Sequence, residues 1–437
     1  MSSSSLKVSV IGAGSHVFGS SLLHEALVEL KLDAVAFHLV DPNPGALEAM
    51  AAFGRTLAKR TGRNASFHTH ASWDDAGALD GADLVVHSAA PELARRYGMD
   101  CDVMESLCPE EAILEFGGVA GISYSLRQIH LVEKLCRQMQ IRCPSARLFC
   151  TANPLPRVCQ FARAMGVDTI GFCSAWLEGF SFLSRFFSGT PEDDPWTEAR
   201  RRWRLEPGGL NHFVWATRVE ERSTGRDVLP ELLGAFAKGS GCGQPLGEAQ
   251  SVRCGAWLLP NDHHVRDFLP TPRGTHRREY PMHGSPAQRR EAVELLLRAA
   301  RGEISFKEAV PHPSWEKPMR VAAGLLLGAP VELDSLNLPN SRGQIPGLPS
   351  SVFVETPCEI RDGNLCPQSI PLPPPALEAC LRAAETTQAI VEAAQSRSLA
   401  GLRRCCELDP TVRSPEKAFT ALKECLRVHE DLLPVYS

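Results

Sequence analysis

Leu6-Lys7-Val8-Ser9-Val10-Ile11-Gly12-Ala13-Gly14-Ser15 lies near the start of the chain, and Val35-Ala36-Phe37-His38-Leu39-Val40-Asp41 follows some twenty residues later. The first run predicts a buried strand entering a tight glycine turn. The residues between predict an amphipathic helix, and the second run a strand beside the first. In this order the glycines let the backbone approach a pyrophosphate, and the helix N-terminus supplies N–H donors and partial positive charge. An acid directly after the second strand meets ribose hydroxyls and repels a 2′-phosphate, so the unit predicts NAD rather than NADP. Gly12, Gly14, Ser15, His16, Phe18 and Asp41 are the expected cofactor contacts. The third glycine of the dinucleotide fingerprint is absent from its usual place, where Val17 stands, so a variant turn is expected.

The chain has 437 residues, room for more than one domain, and a net charge of −5. That balance lacks the basic footprint of a nucleic-acid binder. No apolar run approaches the roughly 20 residues of a membrane span. Nothing before the first strand resembles a signal-peptide core, so a cytoplasmic protein is expected. The fifteen cysteines are odd in number and scattered, with no C-x-x-C pair. They suggest neither a disulfide framework nor a structural zinc site.

Further strands are expected at 83–88, 147–151 and 169–173, with a helix at 125–140. The alternation implies an α/β fold with a Rossmann-type parallel sheet, in which ligands bind outside the carboxyl ends of the strands. Asn153 and Cys173 fall at such ends. The composition changes beyond about residue 181, giving an expected division into a nucleotide-binding domain (1–190) and an α+β substrate and metal domain (191–437). The second part is expected to hold helices at 286–301, 376–395 and 415–428 and strands at 331–336 and 351–356. Arg200, Arg201 and Arg202 read as a solvated face, because acids are interleaved around them.

Several residue types point to chemistry. Asn153 precedes Pro154, which holds it extended and fixes where its amide points; a plain strand-ending turn is the alternative. His212 sits in an apolar run, where a hydrogen-bonded core histidine is the commoner use. Together with Cys173 it can hold a divalent cation and leave coordination positions open, although spacing does not show that the two meet. Asp262 reads as a base, a partner of a metal-bound water or a helix cap. His263 and His264 point in different directions on any regular element, so at most one faces a site.

These segments together resemble glycoside hydrolase family 4, NAD- and divalent-metal-dependent glycosidases of the lactate/malate dehydrogenase superfamily. The resemblance runs through Gly12-Ala13-Gly14-Ser15, Arg96-Tyr97-Gly98, Ser125-Leu126-Arg127, Asn153-Pro154, Gly171-Phe172-Cys173 and Gly209-Leu210-Asn211-His212-Phe213. It continues through Asp262-x-His264, Asn337-Leu338-Pro339-Asn340 and Val354-Glu355-x-Pro357. It implies that Cys173 and His212 bind the metal, usually Mn2+. It also implies that Asn153 contacts both cofactor and substrate. Asn211, Trp257 and Arg96 are further expected substrate contacts, with a surface helix pair as the alternative for Arg95 and Arg96. The implied reaction oxidises C3 of a non-phosphorylated glucoside, galactoside or uronide, removes the C2 proton, eliminates the aglycone, adds water and returns the hydride, outside the usual two-carboxylate scheme. The resemblance further implies a homodimer or homotetramer whose partner is a small glycoside, with no nucleic acid or membrane involved. Two positions depart from the pattern. Ser174 replaces a histidine, and Trp257, whose indole only donates, stands where the base tyrosine is expected. Tyr124, Asp262, His263 or His264 then become candidates for the base. The alternatives are an NAD-dependent sugar dehydrogenase that stops after C3 oxidation, and a ligand-binding relative without catalysis.

Overall fold

The computed structural model describes residues 5–15, 17–188, 195–241, 243–270, 286–311 and 314–437. Six parallel strands come first: β1 (Leu6–Ile11), β2 (Val35–Val40), β3 (Ala65–His70), β4 (Leu84–His87), β5 (Arg147–Cys150) and β6 (Thr169–Gly171). They lie in the order β3-β2-β1-β4-β5-β6, with every pairing parallel. The chain reverses direction across the sheet between β1 and β4, which opens a ligand crevice at their carboxyl ends.

The remaining strands are β7 (Trp203–Leu210), β8 (Phe213–Glu221), β9 (Arg226–Asp227), β10 (Trp257–Leu259), β11 (Val331–Pro339), β12 (Phe353–Arg361) and β13 (Asn364–Pro367). They extend the same sheet antiparallel beyond β6, in the order β6-β11-β12-β7-β8-β10, with β13 paired to β12 and β9 to β8, to make thirteen strands among the described residues. The expected division at residue 190 falls outside the described residues. The sheet itself passes unbroken from the parallel to the antiparallel half.

Helices cover both faces, which is why β4, β5 and β12 carry buried side chains on both sides. On one face, helix Gly118–Arg142 buries Leu126, Ile129 and Val132 against Leu148 and Cys150. The C-terminal helices Pro374–Ser396, Leu399–Leu408 and Pro415–Val428 add Ile390, Leu402 and Leu422 to that core, so the end of the chain packs on its beginning. The 415–428 expectation is matched at both ends. The β7–β8 hairpin was not expected, because Pro207, Gly208 and Gly209 are residues that strands avoid. The pairing register shifts between Leu205 and Pro207, and a Cβ at 208 would stand 2.8 Å from Ile370, so the glycine makes room for packing. All described cysteines are free, and all but Cys173 and Cys366 are buried. The arginine run lies on helix Pro195–Arg202 and pairs with Asp334, Glu198 and Glu221, as a solvated face should. Among the described residues no helix is long and apolar enough to cross a membrane.

His87 ends β4 with no exposure, and neither ring nitrogen has a partner. Burial pushes its imidazole down from 6.5 to about 4. A ring that resists protonation in the folded state contributes fully above pH 6.5 and loses that contribution as the pH falls toward 4. Replacement by leucine is expected to leave stability at neutral pH equal or higher, since an unpaired buried polar group is removed. It is also expected to flatten the decline of the urea midpoint between pH 6.5 and 4. An unchanged decline would show that His87 does not carry it.

Candidate active site

At the crevice, Gly12 takes a φ of +82° and lies so close to the next strand's exit that a Cβ would stand 2.8 Å from the Ala89 nitrogen. A Cβ at Gly14 would stand 2.7 Å from Asp41 Oδ2. The Gly14 N–H donates to that oxygen at 3.0 Å, and the Asn43 N–H donates to Oδ1 at 2.9 Å. Asp41 therefore braces the glycine turn while standing at the end of β2. Ser15 Oγ accepts the Phe18 N–H at 3.3 Å, where the first helix starts. His16 lies outside the described residues. The missing third glycine is a matter of spacing: Gly19 does its work. A Cβ there would meet the Ala13 carbonyl oxygen at 2.6 Å, so only glycine lets the helix sit on the turn. At each of these positions a side chain would break a close contact, so the glycines keep the turn tight against the helix N-terminus, the arrangement that a pyrophosphate binds.

Further along the same rim, Asn153 is joined to Pro154 by a cis peptide bond, and its Oδ1 is buried without a partner. Cys173 follows β6. His212 occupies the turn between Leu210 and Phe213, with a φ of +64°. A non-glycine residue in that conformation costs roughly 1–2 kcal/mol, and here it aims the ring. His212 Nε2 lies 3.2 Å from Cys173 Sγ, so the structure brings together the two residues that the sequence left apart. Phe116 stacks on the His212 ring at 4.6 Å, and His264 meets it edge-on at 4.6 Å. Burial first, and then the carboxylates of Glu316 and Glu355, hold the Cys173 thiol well above its usual range.

This donor pair fits a divalent cation. Bonds of about 2.3 Å to sulfur and 2.0 Å to nitrogen leave two donors of one ion a little over 3 Å apart when they meet near a right angle. A bound cation also deprotonates a thiol outright, which cancels the upward push. Among the described residues no group of three or more such donors is arranged for a metal. Two protein ligands leave the other positions for substrate and water.

Beneath the pair lies a residue that sequence reasoning missed. Gly171 on β6, Asn337 on β11, Glu355 on β12 and Gly209 on β7 stand in register across four strands. A Cβ at Gly171 would come within 2.9 Å of Asn337 Cβ, so the glycine admits the amide. Asn337 Nδ2 donates to the Cys173 carbonyl at 3.0 Å. Asn211 Nδ2 donates to the same carbonyl at 3.2 Å and to Glu355 Oε2 at 3.0 Å. Ser335 Oγ donates to Glu355 Oε1 at 2.5 Å. Burial raises the Glu355 carboxyl to about 8, against these two hydrogen bonds. Asn211, expected as a substrate contact, is fully buried and holds the ligand's backbone.

Other expected site residues are placed elsewhere. Tyr124 is buried on helix Gly118–Arg142, accepts a hydrogen bond from Gln128 Nε2 at 3.4 Å, and lines a cleft with Ala90, Arg96, Gln128 and Leu131. The segment reaches the metal pair through Phe116 instead. Arg96 is buried, and its guanidinium grips Glu92 at 2.7 Å and Asp431 at 2.5 Å, which ties a helix to the C-terminal segment. Trp257 packs among core aromatics, 5.1 Å from Phe182. Asp262 is a cap, but of another helix: its oxygens accept the N–H groups of Leu246 at 2.9 Å and Gly247 at 2.7 Å, where Pro245–Cys254 begins. Of the two histidines it is His264 that touches His212; the His263 ring lies 5.4 Å beyond it.

Residues 7–181 match the family described as "Family 4 glycosyl hydrolase", and residues 208–412 match the C-terminal domain of that family. The chain belongs to glycosyl hydrolase family 4. It is a glycoside hydrolase on a Rossmann-type α/β scaffold. An α-galactosidase of Bacillus subtilis (strain 168) is 23% identical, over 98% of this chain and 99% of the relative. An α-galacturonidase of Lachnoclostridium phytofermentans is 21% identical, over 98% and 96%. A 6-phospho-α-glucosidase from gut microorganisms, solved in complex with NAD and Mn2+, shares the fold at a TM-score of 0.75 and 18% identity, over 99% of this chain and 100% of that one.

Replacing Asp262 by alanine is expected to lower stability by about 0.5–2 kcal/mol, the range for a lost helix cap, with kcat changed less than about threefold. A fall in kcat of a hundredfold or more at unchanged melting temperature would show that Asp262 moves a proton. Gly19→Ala is expected to weaken NAD binding and lower the melting temperature together, read by nucleotide titration and calorimetry. Unaltered affinity would contradict the close-packing role.

Proposed function

We propose that this family 4 member is an NAD- and divalent-metal-dependent hydrolase of a non-phosphorylated glycoside. One observation carries the reading: Cys173 Sγ and His212 Nε2 stand 3.2 Å apart, on the rim shared with the glycine turn. When bound, NAD supplies a hydride acceptor for C3 of the sugar, and the cation, Mn2+ by family resemblance, supplies a Lewis acid beside the oxygens that gain charge. Cys173 and His212 hold the cation. Gly12, Gly14 and Asp41 seat the nucleotide. Asn153 offers its unpaired amide oxygen to the substrate or nicotinamide. His264 is the proton-moving group best placed beside the pair. Donation from Nδ1 to Asn261 Oδ1, at 3.0 Å, puts the basic lone pair on Nε2. A histidine base suits C2 deprotonation near neutral pH and does without the tyrosine that Trp257 replaces.

A substrate without phosphate is supported by the names of the full-length relatives, α-galactosidase and α-galacturonidase, and a glucoside, galactoside or uronide remains the substrate class. A two-part division of the chain near residue 190 and a homodimeric or homotetrameric assembly belong to the same proposal.

The test is incubation with NAD, Mn2+, a reductant and a panel of aryl glycosides in D2O. Aglycone release with deuterium at C2 and no net NADH is expected. NADH accumulating in step with an intact, oxidised glycoside would replace hydrolysis by sugar dehydrogenation. His264→Asn is expected to lower kcat by about 10²–10⁴ while Mn2+ and NAD affinities stay within a few-fold. A kcat within threefold of wild type would remove His264 from the role of base.

A further inference from the structure

We infer that Glu355 is a positioning residue for the metal pair, acting through Asn211 on both ligands at once; the inference rests on the metal reading above. Glu355 reaches the pair through a side-chain amide. Its Oε2 fixes Asn211 Nδ2 at 3.0 Å, and that same nitrogen holds the Cys173 carbonyl at 3.2 Å. Asn211 is also the residue before His212 in the two-residue turn, so a fixed Asn211 amide fixes the left-handed step that presents the ring. One carboxyl thus controls the backbone under the thiol and the backbone before the imidazole.

Three observations set this apart from ordinary core bonding. First, Asn211 Oδ1 and Asn337 Oδ1 are both buried without a partner. An unpaired buried acceptor is unfavourable, so both amides are oriented to donate to the Cys173 carbonyl at a cost to the fold. Second, the amide orientation is forced: turning Asn211 over would face its oxygen toward two other oxygens. Third, Glu355 is itself clamped by Ser335 on Oε1 while Asn211 holds Oε2, so both carboxyl oxygens are fixed. Groups that orient metal ligands from behind typically change metal affinity or activity by about 10–100-fold when removed.

The test is titration of the full chain with Mn2+ alone, read by the loss of the free Mn2+ electron paramagnetic resonance signal. Wild type, C173S, E355A, E355Q and N211A are compared, and NAD affinity and metal-free melting temperature are measured alongside. In E355Q the new amide can donate to Ser335 Oγ while its oxygen still accepts from Asn211. E355Q is therefore expected within about threefold of wild type. E355A and N211A are each expected to weaken Mn2+ by about 10–100-fold with NAD affinity unchanged, and a sixth protein, the E355A/N211A double variant, to be no weaker than either alone. Equal Mn2+ affinity in E355A and wild type overturns the assignment, as does a parallel loss of Mn2+ and NAD affinity in E355A. If E355A does not fold, N211A decides by the same criterion. If wild type takes up no Mn2+ that depends on Cys173, the metal reading falls and this assignment with it; if it does and E355A equals it, this assignment alone falls.

Discussion

The two amide N–H groups that converge on the Cys173 carbonyl are the constraint on which the site depends. A thiol on a loop and an imidazole on a distant hairpin keep a 3.2 Å separation only if both backbones are immobile. The backbone of Cys173 is fixed from Asn337 on one strand and from Asn211 on the neighbouring turn. The continuous sheet makes this possible. β6, the last parallel strand, pairs with β11, and β11 leads through β12 to β7. The antiparallel half is thus registered directly against the nucleotide-binding half rather than tethered by a linker, and the metal pair forms across that seam.

The two halves contribute different physics. The parallel half offers backbone donors at a helix N-terminus and a glycine turn that Asp41 holds closed. The antiparallel half offers side chains: carboxyl groups near the thiol and a strained histidine, on which Phe116 of the parallel half stacks. Without a cation, burial and the nearby acids favour the protonated thiol. A bound cation deprotonates a thiol outright and reverses that preference.

Much of this was legible in the residues. The β1–turn–β2 unit reads directly because its signals are local: apolar runs, Gly12, Gly14 and a following acid. The third close-packing glycine escaped because it sits at 19, and its contact with the Ala13 carbonyl is a matter of helix placement rather than motif spacing. Cys173 and His212 were legible as metal-type residues, but their meeting depends on strand order, which is non-local. Asp262 and Arg96 misled for a shared reason. Both carry charges in segments near the site, and both are consumed by partners far away in sequence, Leu246 and Gly247 in one case and Asp431 in the other. Glu355 was legible as part of the Val354-Glu355-x-Pro357 segment but not as a site residue, because an acid within a strand normally marks a solvent face. Here β12 is covered on both sides, and the acid points into a polar pocket that other strands build.

The most direct test of the central claim is the near-ultraviolet spectrum of the chain titrated with Co2+ in place of Mn2+. A thiolate bound to cobalt gives a charge-transfer absorption that oxygen and nitrogen ligands do not. The account predicts that this band grows to one equivalent in the wild type and is lost in C173S. Cobalt bound at one equivalent with no thiolate band would contradict it.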